Sequence, residues 1–164
     1  MTRLLQVSNI SLTKGKSILK NVSCEVRGGE ILTVLGPSGS GKSSLLRCLN
    51  RLESIDQGKI FLNGVETRQI KTQELRRRVG MLFQTPSLLP LTVAENLRMG
   101  PKLRKETMDE PAYRLLLEKV GLKMEFLDRN VETLSVGERQ RAALAQVLAN
   151  HPEALLLDEP TSAL

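Results

Sequence analysis

Gly36-Pro37-Ser38-Gly39-Ser40-Gly41-Lys42-Ser43 reads G-x-x-x-x-G-K-S, the pattern of a loop that wraps phosphate groups. Ile31 to Leu35, just before it, is a short apolar run with β-branched Ile31, Thr33 and Val34, and it reads as a buried strand. Ser44 to Leu49, just after it, reads as the start of a helix. Strand, glycine loop and helix form the context that gives the motif its meaning. Glycines let the backbone approach the phosphates, the loop N–H groups point at them, and the helix N-terminus adds partial positive charge. On this reading Lys42 reaches the β- and γ-phosphates and the Ser43 hydroxyl ligates Mg²⁺.

Composition limits what surrounds the loop. The chain has 164 residues, 40% of them apolar and 26% charged, enough for one domain with a real core. Three phenylalanines and one tyrosine are its only aromatics, so Leu, Ile, Val and Ala must fill the interior. That scarcity argues against single-strand nucleic-acid binding by stacking. A net charge of +6, partly from Arg76-Arg77-Arg78, fits a solvated basic helix face, or attraction to phosphates or an anionic membrane surface. Cys24 and Cys48 stand apart, as expected of buried free thiols in a reducing compartment. No run of 18 apolar residues occurs, and Met1-Thr2-Arg3 leads straight into a strand pattern without a signal peptide. The expected location is the cytoplasm.

Leu4–Ser11 and Ile18–Val26 read as two β segments with Gly15 in the turn between them. The helix after the phosphate loop is expected to end near Asn50. Residues 58–66 read as a hairpin, because Asn63-Gly64 suits a turn in which both central residues need positive φ. Thr72 to Arg78 reads as a helix capped by Thr72, and Val79 to Phe83 as a buried strand ending in Gln84. Helices are expected over 92–99, 112–120 and 124–128, broken by Gly100-Pro101 and Gly121, with Leu115, Leu116 and Val120 on an apolar stripe. Ser135 to Asn150 reads as the last helix, with Ser135 and Glu138 forming a capping box and Pro152 stopping it. Ala154 to Leu157 reads as a buried strand delivering Asp158 and Glu159.

Those two carboxylates lie where α/β sheets place their ligands, at the C-terminal end of a strand. One can hold Mg²⁺ through water and the other can orient or deprotonate the attacking water. The amide oxygen of Gln84 can contact the metal or the water. The helix opening at Ser135 and Gly137 offers free N–H groups and a hydroxyl as a second anion site, or is simply a capped helix.

Taken in order, the phosphate loop, Gln84, Leu134-Ser135-Val136-Gly137-Glu138 and Leu155-Leu156-Leu157-Asp158-Glu159-Pro160-Thr161-Ser162-Ala163-Leu164 resemble an ABC-type ATPase along the whole chain. The resemblance implies an α/β P-loop NTPase fold of ABC type. Such a fold has a mainly parallel sheet core, an N-terminal antiparallel β subdomain and a helical subdomain. It divides the chain into a core at 1–83 and 154–164 and a helical part at 84–153. It implies ATP and Mg²⁺, with Gly36, Pro37, Ser38, Gly39, Ser40, Gly41, Lys42, Ser43 and Ser44 around the nucleotide. Ser43, Gln84 and Asp158 would stand near the metal, with Gln84 as sensor and Glu159 as general base. Ser135 and Gly137 would hold the γ-phosphate bound to a partner cassette, as a homo- or heterodimer, and Ser162-Ala163-Leu164 would begin the loop that crosses the dimer interface. Arg76 to Gln84 and Thr92-Val93-Ala94-Glu95-Asn96 look like the ATPases of phosphate importers and of a group tied to metal tolerance or export.

Three departures accompany the resemblance. Lys14 stands where the family places an aromatic against adenine. Val136 replaces a more usual Gly, and Glu138 a Gln. The chain reaches Leu164 before the Asp of the dimer-crossing loop and before the switch His, a role His151 cannot fill. Residues 1–164 by themselves are therefore expected to bind nucleotide weakly. Three functions fit: the ATP-binding subunit of a transporter on the inner face of a membrane, docked on an integral-membrane subunit; a soluble ATPase of DNA repair or translation; or a nucleotide-binding fragment without turnover. The stretch from Gln84 to Leu134 has room for a small helical subdomain and none for a long coiled coil, which favours the transporter, with no direct nucleic-acid contact expected.

Overall fold

In the computed structural model, residues 3–159 are described, and the chain divides between Val79 and Gly80 into two compact units. The interface-loop residues Ser162-Ala163-Leu164 lie outside the described residues.

In the first unit β1 (Arg3–Lys14) and β2 (Lys16–Arg27) form a hairpin about Gly15, whose φ of 70° only glycine adopts easily. Both strands run longer than the two expected segments, because left-handed Asn9 and Asn21 let the pair continue across shifts in register. Next comes α1 (Lys42–Leu49), which ends at Asn50 as expected. β3 (Gln57–Leu62) pairs antiparallel with β1, Leu5 opposite Leu62, and returns through β4 (Val65–Glu66). The turn is of the expected kind, with Asn63 at φ 49° and Gly64 at φ 79°. The sheet order is β2-β1-β3-β4. One face of this sheet is buried through Leu5, Val7, Ile10, Leu12, Ile60 and Leu62. α2 (Thr72–Arg78) follows. Its N-cap is Lys71 and not Thr72, and no side chain caps it. Thr72 already has entered the helix there, so its hydroxyl is in the wrong place to receive a first-turn N–H.

The second unit begins within β5 (Val79–Leu82) and continues through α3 (Val93–Leu103), α4 (Glu110–Lys119), α5 (Val136–Leu148) and β6 (Ala154–Leu157). β5 and β6 form a two-stranded parallel sheet joined by the helical crossover. Single-turn 3₁₀ segments at 124–126 and 131–133 link α4 to α5, so the helix expected over 124–128 is one tight turn. Val93, Leu97, Leu117, Phe126, Val131 and Ala145 belong to one buried cluster.

Two expectations about the helices fail for nonlocal reasons. α3 does not break at Gly100-Pro101 but runs through it to Leu103. A Cβ at Gly100 would strike the Asn150 side chain, so this glycine admits a neighbour and does not end a helix. On α4 the buried residues are Leu116 and Leu117, and Leu115 is 53% exposed. The phase of the stripe is set by what α4 packs on, through contacts with α5. Cys48 is buried as expected, and burial pushes its thiol up to about 11. Cys24 is only half-buried: it shares the more covered face of the edge strand β2 with Val22 and Val26, and none of the three is fully buried.

Candidate nucleotide site

The phosphate loop belongs to the first unit. Residues 31–35 form no strand, contrary to their composition, and Ile31 is 94% and Leu35 87% exposed. A strand exists only through a hydrogen-bonded neighbour, and no described strand pairs with this run. The loop itself is built for close approach. A Cβ on Gly36 would lie 2.7 Å from Ser40 Oγ, and Gly41 is the left-handed N-cap of α1 at φ 96°, packed against the Ile18 carbonyl. No side chain caps α1, and an uncapped helix N-terminus suits an anion. Lys42 Nζ donates to the Gly36 and Pro37 carbonyls at 2.9 and 3.1 Å, which curls the cation over its own loop. Pro37, Ser38, Gly39 and Ser40 are exposed, and Ser43 and Ser44 half-buried.

At the hairpin tip of the same unit, Lys14 Nζ meets Glu53 Oε1 at 2.8 Å. Arg47 reaches the same oxygen at 3.6 Å, and the Thr13 N–H donates to Asp56. The residue at the expected stacking position is thus held in an ion pair with the loop after α1.

The second unit carries the two strand-end carboxylates. β6 ends so that Asp158 is buried and Glu159 exposed, and the Asp158 N–H donates to the Leu82 carbonyl on β5. Leu155 and Leu157 are 37% and 42% exposed, so β6 is buried on one face and not on both. Glu159 has φ 47°, a left-handed conformation that is uncommon away from glycine and typical of constrained functional positions. Gln84, exposed just beyond β5, donates Nε2 to Glu159 Oε2 at 2.8 Å. Two residues far apart in sequence are thereby joined.

Ser135 caps α5 in the expected box: its Oγ accepts from the Glu138 N–H at 3.3 Å, and its N–H and hydroxyl donate to Glu138 Oε2 at 2.8 Å each. The bonds from the Ser135 backbone and then its hydroxyl hold the Glu138 carboxyl below the usual range. Glu138 is therefore a fixed negative charge beside Ser135 and half-buried Gly137, which a neutral Gln there would not supply. Gln140, not singled out from the sequence, is 5% exposed and donates Nε2 to the Phe83 carbonyl at 3.3 Å. The available signal was a Gln in register with Ala143, Leu144 and Val147 on the apolar face of the helix. Glu53 was also missed. Nothing in its local sequence marks it.

Residues 19–162 match the family described as ABC transporter. The chain belongs to that family. ABC transporter I family member 17 of Arabidopsis thaliana is 52% identical over 92% of this chain and 57% of its own length. The phosphonates import ATP-binding protein PhnC 2 of a Synechococcus strain is 41% identical over 98% of this chain and 65% of its own. A dimeric bacterial ABC transporter cassette superposes with a TM-score of 0.86 at 30% identity, covering 98% of this chain and 76% of that one. The ABC cassette fold, with its antiparallel β subdomain and parallel sheet, is thus the fold of this chain. The chain spans between about half and two thirds of the length of these curated relatives.

Proposed function

We propose that this chain is the ATP-binding part of an ABC transporter and that the protein containing it hydrolyses Mg-ATP. The observation that carries the reading is the pairing of Gln84 with Glu159 in a cassette that also holds the glycine loop at 36–43. Residues 36–44 bind the triphosphate through loop N–H groups, Lys42 and the hydroxyls of Ser43 and Ser44. Lys42 leaves the Gly36 and Pro37 carbonyls when phosphate replaces them. Glu159 accepts a proton from the attacking water, and Gln84 holds that carboxylate and senses the γ-phosphate.

The donor set suits Mg²⁺. Ser43, Gln84 and Asp158 offer oxygen ligands, and among the described residues no group of three or more His, Cys, Asp or Glu could hold a metal by itself. Few protein oxygens completed by phosphate and water is the usual habit of Mg²⁺. Gln84, with Nε2 given to Glu159, keeps its amide oxygen as acceptor. When bound, the ion neutralises phosphate charge.

A second cassette contributes Ser135 and Gly137 across a dimer, and an integral-membrane subunit docks on the helical subdomain, taken as residues 84–153. The core is then 1–83 and 154–164. No described helix is long and apolar enough to cross a membrane. The likeness to a phosphonates import ATP-binding protein and to glutamine and arginine transport ATP-binding proteins supports an import system; phosphate or a metal ion is the proposed solute.

Phosphate release from Mg-ATP by the protein that contains this chain, against Glu159→Gln, tests the reading. Turnover above that background, with a multi-span subunit co-purifying from solubilised membranes, is expected. Recovery of only DNA or ribosomes would favour a soluble repair or translation ATPase. Binding without turnover would leave a nucleotide-binding module.

A further inference from the structure

We infer that Gln140 is a positioning residue that ties the opening of α5 to the backbone just before Gln84, so that the Ser135–Gly137 end of α5 and the Gln84–Glu159 pair are set together. The inference rests on the proposed roles of Gln84 and Glu159 and adds what fixes them.

Three observations within the second unit carry it. Gln140 stands one and a half turns into α5 from the Ser135 cap, and its amide Nε2 donates to the carbonyl of Phe83, the residue before Gln84. Gln84 then reaches Glu159, so one run of contacts leads from the helix opening to the general base. The other half of the Gln140 amide, Oε1, is buried with no hydrogen-bond partner. A buried amide satisfied on one side only is a poor choice for stability, and an apolar side chain of equal length would serve packing better. What the amide supplies and an apolar chain cannot is the bond to Phe83. That carbonyl lies where β5 gives way to the loop carrying Gln84, beyond the last residue of the strand. Without the bond the loop has one fewer tether at the residue that orients Glu159.

Gln140→Met keeps the shape and removes the donor; Gln140→Leu removes the donor too. In the protein that contains this chain, Gln140→Met should lower kcat about tenfold while the KM for ATP moves less than about twofold. A merely structural role would not split the two. In a cycle with Gln84→Ala, the Gln140→Met effect should disappear, because Gln140 acts through Gln84. Backbone amide exchange over residues 84–88 should quicken in the variant, a readout that needs no turnover. Unchanged exchange there, additive losses in the cycle, or a KM rising in step with the loss of kcat would each overturn the inference. If Gln140→Met does not fold, the same cycle and exchange are read with Gln140→Leu. Absence of turnover in the parent would count against the proposed function alone, since exchange still decides this one.

Discussion

Gln84 Nε2 donates to Glu159 Oε2 across 2.8 Å, joining a strand-end amide to a strand-end carboxylate 75 positions later. The bond occupies one oxygen of the proposed base and leaves the pair exposed. Glu159→Gln should keep nucleotide affinity and lower phosphate release by about 10² or more, the span of a general base. A single-turnover assay beside equilibrium ATP binding checks this; a proportional loss of both would remove Glu159 from the chemistry.

Lys42 lies on the Gly36 and Pro37 carbonyls, within the loop whose N–H groups would face phosphate. Lys42→Ala should abolish measurable ATP binding while the thermal melt stays close to that of the parent. Calorimetric titration decides, and unchanged affinity would sink the assignment of this loop.

The Lys14–Glu53 ion pair lies at the hairpin tip, where the resemblance places an aromatic. Base stacking by an aromatic is worth about 1–3 kcal/mol and tolerates any base, so its lack should weaken ATP and GTP alike. Lys14→Tyr should tighten ATP by up to about that amount. An ATP affinity unchanged by Lys14→Tyr would mean that position 14 does not meet the base.

Two capping boxes, Thr92 with Glu95 and Ser135 with Glu138, hold their carboxyls below the ordinary glutamate value of 4.5. A depressed pKa stabilises the fold above the unfolded value, and that contribution is lost as pH falls through the lower folded value. Stability should therefore decline as pH drops below about 4.5. Glu95→Gln with Glu138→Gln should flatten that decline in melts from pH 6 to 3. An unchanged slope would show that other carboxylates carry the acid response.

Leu117 is fully buried and Leu115 half-exposed on the same helix. Leu117→Ala should cost about 2–5 kcal/mol by leaving a cavity, and Leu115→Ala about 0.5 kcal/mol or less as a surface change. Urea denaturation of the two variants separates them, and similar losses would reverse the helix phase.

The sequence by itself determined what depends on near neighbours. Glycines at 36, 39 and 41 specify the phosphate loop, because backbone freedom and close approach are local properties. Asn63-Gly64 specifies its turn, and Ser135 with Glu138 its cap, because both partners lie within four residues. The order of these pieces was enough to reach the family. Tertiary structure decided whatever needed a distant partner. Ile31 to Leu35 has strand composition, but a strand needs a hydrogen-bonding neighbour, and among the described residues none pairs with it. Leu117 and not Leu115 is buried because α5 selects the face. Gly100 reads as a helix break until Asn150 is seen to occupy the space. Lys14 meets Glu53, and Gln140 meets Phe83, across 39 and 57 positions, distances over which hydrophobic period and capping pattern carry no information.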